Sequence, residues 1–389
     1  MRLLIIADDV TGAADCAARC FGAGLSAALN LHRIPPTGQG ATAYTSDSRH
    51  LPPGEAAQQV HALIQTLGRV DGIWYKKIDS TLRGNLGSEL DAVLHALGKR
   101  HAVVAPAFPA QGRGLQHGLL RSALVQSPLH LPTMLGEQSG RAVTAIDLDV
   151  VRGGVAQLAE QLVQAAQRSD LLVADAMTDA DLHMIARATD QALPEAVLCG
   201  SAGLIGAIAA DVGEHGNSRQ HVADPAARRA ALIVVGSGSV MAHRQIGHVQ
   251  AKQQVSVIEL GQELPEQLGD TVVLHLPLPA AGISLDNEAA RQWAMRLTEL
   301  GCSLIERLQP GLLILVGGDT AGEMLARLDL AQLRVIAELL PGMPLTEGVD
   351  GQGRLQRVVL KAGNHGDDAA LHMLLQRARQ VLEYEVDDA

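Results

Sequence analysis

Aromatic side chains are scarce in this chain: two Phe, three Tyr and two Trp make up 2% of 389 residues. The core must therefore be built from Leu, Val, Ile and Ala, and the stacking platforms that bind single-stranded nucleic acid are excluded. Cysteine is also sparse. Cys16, Cys20, Cys199 and Cys302 form no Cys-x-x-Cys pair, and no His cluster completes a zinc pattern. Cys16 and Cys20 share a helix face at i,i+4, where they read as buried thiols, and the usage fits a reducing cytosol. No apolar run approaches the ~18 residues of a membrane span. The opening Met1-Arg2-Leu3-Leu4-Ile5-Ile6 runs into Asp8-Asp9, far short of a signal h-region, so a cytoplasmic location is expected. Basic residues are outnumbered, giving a formal net charge of -11. That charge excludes a general affinity for nucleic acid or anionic membrane, so neither is expected as a partner. An anionic substrate would need a locally basic pocket.

What is present is a soluble composition, 47% hydrophobic and 19% charged, at a length that suggests two domains. Apolar β-type runs alternate with longer helical patterns, the signature of α/β architecture with largely parallel sheets flanked by helices. In the first half strands are expected at 3–7, 41–45, 72–76, 102–105, 170–174 and 196–199, with helices at 13–23, 55–67, 86–97, 151–166, 179–192 and 204–212. A polar, turn-rich stretch at 213–225 reads as a linker. The pattern restarts with strands at 231–235, 255–260, 271–276, 311–316 and 357–361, and helices at 240–251, 287–306, 321–328 and 367–383. Two α/β domains, 1–222 and 228–389, are expected, with the active site in the interdomain cleft.

The densest chemistry is Lys76-Lys77-Ile78-Asp79-Ser80-Thr81-Leu82-Arg83-Gly84-Asn85, between a short strand pattern and a helical one. Open α/β sheets bind ligands at that position. Lys and Arg suit the charge of a small anion, and Asp and Ser suit its hydroxyls. A similar strand end carries Asp8-Asp9-Val10-Thr11-Gly12. One of these carboxylates caps the following helix; the other is free to bind a substrate hydroxyl or act as a general base. After the next strand, Arg49 either holds a substrate carboxylate in bidentate fashion or pairs with Asp47 on the surface. The loop 105–114, with Phe108 and Arg113, is either a substrate-side loop or a structural turn.

The second half has three glycine-rich strand-to-helix turns: Gly236-Ser237-Gly238-Ser239, Gly317-Gly318-Asp319-Thr320 and Gly363-Asn364-His365-Gly366. Glycine lets a phosphate approach the backbone, and the helix behind it offers N–H groups and a positive dipole end. Thr320-Ala321-Gly322-Glu323 matches a capping box, so a helix is expected to start there. Neither a P-loop nor a Gly-x-Gly-x-x-Gly helix opening occurs. Gly200-Ser201-Ala202-Gly203 reads as a close-packing device, and His365, Asp367, Asp368 and His372 as helix capping with a solvated His rather than a metal site.

Together these stretches, with Ala105-Pro106-Ala107-Phe108-Pro109, Gly112-Arg113 and Lys361-Ala362-Gly363-Asn364, resemble the four-carbon acid sugar kinase family, in family order over nearly the whole chain. The resemblance implies an ATP-dependent kinase acting on the terminal 4-hydroxyl of D-threonate, D-erythronate or 3-oxo-tetronate, D-threonate foremost. An amino-terminal domain would bind the acid and a carboxyl-terminal domain ATP. Substrate contacts would be Asp9, Arg49, Lys77, Ile78, Asp79, Ser80 and Arg83, with Asp79 or Asp9 as proton acceptor. ATP contacts would be Ser237, Ser239, Gly317, Gly318, Asp319, Thr320 and Gly363. Mg²⁺ is expected on the β- and γ-phosphate oxygens, with no residue assigned as its ligand; Asp319 reads as a helix cap ahead of a water-mediated Mg²⁺ contact. A homodimer is the default assembly. The competing classes are a non-catalytic sensor of an acidic metabolite and a phosphatase built on Asp8-Asp9. The sensor leaves the three phosphate-type turns unexplained.

Overall fold

The computed structural model describes residues 2–125, 127–213, 230–278 and 287–387, and the chain divides into two compact units, Met1–Asn217 and Ser218–Ala389. The linker expected at 213–225 lies outside the described residues from position 214 onward.

The first unit runs β1 (Arg2–Ala7), α1 (Val10–Gly22), β2 (Ala27–Asn30), β3 (Gly40–Thr45), α2 (Pro53–Leu67), β4 (Ile73–Lys77), α3 (Leu86–Leu97) and β5 (Ala102–Ala105). It continues with β6 (Gly114–Gln116), β7 (Leu119–Arg121), α4 (Leu131–Ser139), β8 (Val143–Ile146), α5 (Leu148–Arg152), α6 (Val155–Ala166), β9 (Leu171–Ala174), α7 (Asp179–Ala192), β10 (Val197–Gly200) and α8 (Ala202–Val212). Among the described residues its main sheet has the order β2-β3-β1-β4-β10-β5-β9-β8, with every pair parallel. Both faces are buried, as parallel strands require. Leu4 and Ile6 pack with Val60, Leu63, Leu90 and Val93 of α2 and α3, while the alternate residues Leu3 and Ile5 are equally buried on the other face. Helix α1 is mostly buried and rich in Ala, so it lies close to the strands. The helix expected at 151–166 is two helices, α5 and α6, because Gly153-Gly154 breaks it and Gly154 takes φ 101°.

Strand order changes direction at β1: β3 lies on one side and β4 on the other, both in parallel register. The loops after β1, β3 and β4 therefore open at one point, the topological switch where doubly wound sheets bind ligands.

The second unit runs β11 (Ala231–Val235), α9 (Val240–Lys252), β12 (Ser256–Glu259), β13 (Thr271–His275), α10 (Asn287–Leu308), β14 (Leu312–Val316), α11 (Gly318–Arg327), β15 (Gln332–Leu340), β16 (Met343–Val349), β17 (Leu355–Lys361) and α12 (Ala370–Asp387). Its described strands are ordered β12-β13-β11-β14-β17-β16-β15; the first five are parallel, and β16 and β15 are antiparallel additions. Helices α9 and α12 pack on one core with Ile233, Ile314 and Val359. Strands β11, β14 and β17 are neighbours, so the three glycine-rich turns leave adjacent strand ends.

Three local expectations are corrected here. Helix α11 starts at Gly318 with Gly317 at its N-cap and no side-chain cap, so Thr320 lies inside the first turn and closes no capping box. Asp319 is likewise a first-turn acid and not the cap. The reason is the left-handed Gly317, φ 102°, which starts the helix three residues early. His365 is only 4% exposed and so is not solvated.

Candidate active site

In the first unit the sequence has placed charge at three adjacent strand ends, and the fold turns it inward. Asp9 caps α1, accepting from the Gly12 N–H at 2.7 Å and the Thr11 hydroxyl at 2.9 Å. A cap of this type is worth ~1 kcal/mol. Arg49 grips Asp8 in a fork, through Nε and Nη2 at 2.8 Å each, and reaches Asp9 through Nη1 at 2.5 Å. Its Nη2 also lies 3.9 Å from Asp79. The Arg49 guanidinium is thus engaged by Asp8 and Asp9, while Asp47 accepts from the Thr45 hydroxyl.

The two adjacent lysines point to opposite faces of the sheet, as successive strand residues must. Lys76 is fully buried and bonds Glu89 of α3 at 2.7 Å, while Ser48 donates to the same carboxylate. Lys77 lies against α1: a Cβ at Gly12 would fall 3.2 Å from its Nζ and 2.7 Å from Asp9 Oδ1. Glycine at position 12 thus leaves room for an ammonium.

The loop after β4 wraps around Asp79. Leu82 takes φ 64°, and the N–H groups of Thr81 and Arg83 both turn onto Oδ2 at 3.3 Å. The Thr81 hydroxyl donates to it as well, and Arg83 adds a second fork through Nε at 2.8 Å and Nη2 at 3.0 Å. A bulky residue in left-handed backbone is costly and tends to mark a functional loop. Ser80 is buried and accepts from Arg113, on the loop before β6. That loop is therefore on the site's side, and Arg113 is a pocket residue to which sequence reasoning gave no role. The glycines of Gly200-Ser201-Ala202-Gly203 do serve close packing: a Cβ at Gly200 or Gly203 would meet the carbonyls of Ala105 and Ala107 at 2.3 Å.

Burial would raise Asp8, but the Arg49 fork, with Lys76 and Lys77, outweighs it and leaves its carboxyl lowered. Asp79 is likewise buried, yet the bonds from Arg83, the charges of Arg49 and Arg83 and the Thr81 hydroxyl hold it well below the usual carboxylate range. Asp15 of α1 behaves oppositely. Burial pushes it up to about 8, against the opposing charges of Lys77, Arg113 and Arg49. At neutral pH it is mostly protonated. At these strand ends Arg49, Lys77, Arg83 and Arg113 thus gather around Asp8, Asp9 and Asp79, while Lys76 and Glu89 pair on the other face of the sheet. An acidic protein has collected four cations in one corner of its first unit.

The second unit's site is made of backbone. A Cβ on Gly236 would strike Thr320 Oγ1 at 1.9 Å, one on Gly363 would strike Ser237 Oγ at 2.3 Å, and one on Gly317 would lie 3.3 Å from the Gly236 carbonyl carbon. The three turns therefore converge. Ser239 caps α9 through the Ala242 N–H, and Ser237 donates to Ser239 at 3.0 Å. Helix α11 presents its first turn with no side-chain cap and with Thr320 buried beneath it. Uncapped N–H groups behind a glycine turn fit a phosphate group. Asp319 is exposed at that turn.

Comparison with known proteins agrees with this division. Residues 3–208 match the sugar-binding N-terminal domain family and residues 232–371 the nucleotide-binding C-terminal domain family. The chain belongs to the family of proteins built from these two domains. Among its relatives, D-threonate kinase of Cupriavidus necator is 32% identical, over 95% of this chain and 96% of that protein. A 3-oxo-tetronate kinase of Brucella melitensis is 25% identical, over 95% and 94%. A crystal structure of a Salmonella typhimurium LT2 protein has the same fold, with a TM-score of 0.76 at 21% identity, covering 98% of this chain and 99% of that one. Among the described residues no helix is long and apolar enough to cross a membrane.

Proposed function

We propose that this protein is an ATP-dependent kinase that phosphorylates the 4-hydroxyl of a four-carbon sugar acid, D-threonate first, with D-erythronate and 3-oxo-tetronate as the alternatives. The observation that carries the reading is the gathering of Arg49, Lys77, Arg83 and Arg113 around Asp9, Asp79 and Ser80 at one set of strand ends, which suits a ligand with one carboxylate and several hydroxyls. The relatives named above act, by name, on such acids.

Arg49 uses three of its five N–H donors on Asp8 and Asp9, which leaves two for a substrate carboxylate beside the Lys77 ammonium. Asp8 fixes the guanidinium plane. Ser80 and Asp79 line the same loop, where they can bind hydroxyls, and Arg83, half exposed, adds a cation at the rim. A carboxylate held as low as Asp79 is a weak base, so Asp79 serves chiefly to orient the 4-hydroxyl, with Asp79 and Asp9 the two candidates for its proton. Transfer itself is mainly positioning and charge stabilisation.

ATP fits the second unit, its phosphates over Ser237, Ser239, Gly317, Gly318, Thr320 and Gly363. Mg²⁺ would neutralise charge on the β- and γ-phosphates, with exposed Asp319 the nearest candidate to hold it through water. The test is ADP release from Mg·ATP with D-threonate, D-erythronate and 3-oxo-tetronate in parallel; no turnover with any of them removes the kinase reading. Asp79→Asn should lower kcat on the order of 100-fold, as misplaced reacting groups do, with ATP affinity unchanged by calorimetry. A variant as active as the parent would remove Asp79 from the site.

A further inference from the structure

Lys361, the last residue of β17, is completely buried. A buried ammonium is expensive unless its surroundings repay the lost hydration. Its Nζ donates to the carbonyl of Ala362 at 3.0 Å and lies 3.5 Å from that of Gly363. Ser239 Oγ reaches the same Gly363 carbonyl at 3.5 Å and accepts from Ser237. The backbone of Lys361 is tied in as well, since its carbonyl accepts from the Gly317 N–H at 2.9 Å. The ammonium is thus bonded to the third glycine turn, and the backbone of Lys361 to the second. Ser239, from the first turn, shares the Gly363 carbonyl with the ammonium. Backbone N–H groups and hydroxyls supply direction to a phosphate chain but no full charge. The chain has no Gly-x-x-x-x-Gly-Lys-Ser/Thr loop to supply one.

We propose that Lys361 is the cation that holds the β- and γ-phosphates of the nucleotide, a phosphate-binding lysine delivered by a strand end instead of a P-loop. The carbonyls of Ala362 and Gly363 fix its ammonium in place before the nucleotide arrives. This inference rests on the second unit binding ATP, but not on which acid is phosphorylated.

The test separates charge from hydrogen bonding. Lys361→Gln retains a donor for the two carbonyls and removes the charge; Lys361→Met removes both. Calorimetry with ATP, ADP and AMP, in the absence of any acid, is expected to show both variants weakened at least 10-fold for ATP, less for ADP and within 2-fold for AMP. Equal affinities in Lys361→Gln and the parent would overturn the proposal and leave Lys361 as a turn staple. If neither variant folds, the parent protein is treated with an acyl-phosphate derivative of ATP, which transfers its acyl group to an amine beside the phosphates. Mass spectrometry should find the label on Lys361, suppressed by excess ATP; labelling confined to other lysines would overturn the assignment. A parent that binds ATP yet phosphorylates no four-carbon acid would end the substrate reading and leave these binding results standing.

Discussion

The two units hold their polar groups by different means. In the first, charged side chains lock one another: Arg49 with Asp8 and Asp9, Lys76 with Glu89, and, within one loop, Arg83 with Asp79. In the second, glycine turns pack closely on one another, with Ser237 and Thr320 filling the space a Cβ would need at Gly363 and Gly236. On the proposed function the difference follows the ligands. A carboxylate among hydroxyls has few features, so the pocket must fix both charge and shape in advance. A phosphate chain has many oxygens, and rows of N–H groups suffice once the backbone can come close.

The largest expected effect breaks the first unit's network. Arg49→Met leaves Asp8 and Asp9 with the charge of a buried guanidinium gone, and such losses cost ~3–5 kcal/mol. Thermal or urea denaturation should show it. Ser237→Ala, in the other unit, should change stability by less than about 1 kcal/mol, the scale of one ordinary hydrogen bond. Similar losses for both would erase the contrast.

A sharper comparison uses two alanines. Gly363→Ala drives a Cβ into Ser237 and should weaken ATP on the order of 10-fold, about 1.4 kcal/mol, without touching acid binding. Gly12→Ala crowds Asp9 and Lys77 and should do the reverse. Calorimetry with each ligand separately reads both, and crossed effects would mean that the ligands are not divided between the units in this way.

The last contrast is one of pH and concerns Asp15. Its pKa rises from 3.8 to about 8 on folding, so the folded state binds the extra proton between those values. Stability from this group is therefore full at low pH and falls as pH rises through that window, by up to about 1.4 kcal/mol per unit. Asp15→Asn, which mimics the protonated acid, should lose less stability between pH 5 and pH 8 than the parent. Parallel pH–stability curves would show that Asp15 ionises normally.

Much of this was legible in residue types at strand ends. Strand-then-charge at Asp9, Arg49 and Lys77 requires only that the strands be parallel neighbours, and β3, β1 and β4 are. What sequence could not give was pairing. Nothing local shows that Lys76 and Lys77 part to opposite faces with different partners, or that Arg113 arrives from a later loop to meet Ser80. Asp15 was hidden in a helix, where charge is ordinarily solvated, and Lys361, though part of a stretch that carries the resemblance, had no role of its own until its burial was seen. Strands β15 and β16 escaped because half-exposed antiparallel strands carry charges such as Arg334, Glu338 and Glu347, which dilute the apolar run. Helix α11 began early because a left-handed glycine can replace a side-chain cap.

The most direct measurement is ³¹P NMR of the purified protein with Mg·ATP and either D-threonate or threitol, the uncharged polyol of the same length. A site whose cations hold a carboxylate should give a phosphate monoester on C4 of D-threonate, in step with ADP, and almost none on threitol. Equal phosphorylation of the two, or inorganic phosphate with no ester, would contradict it.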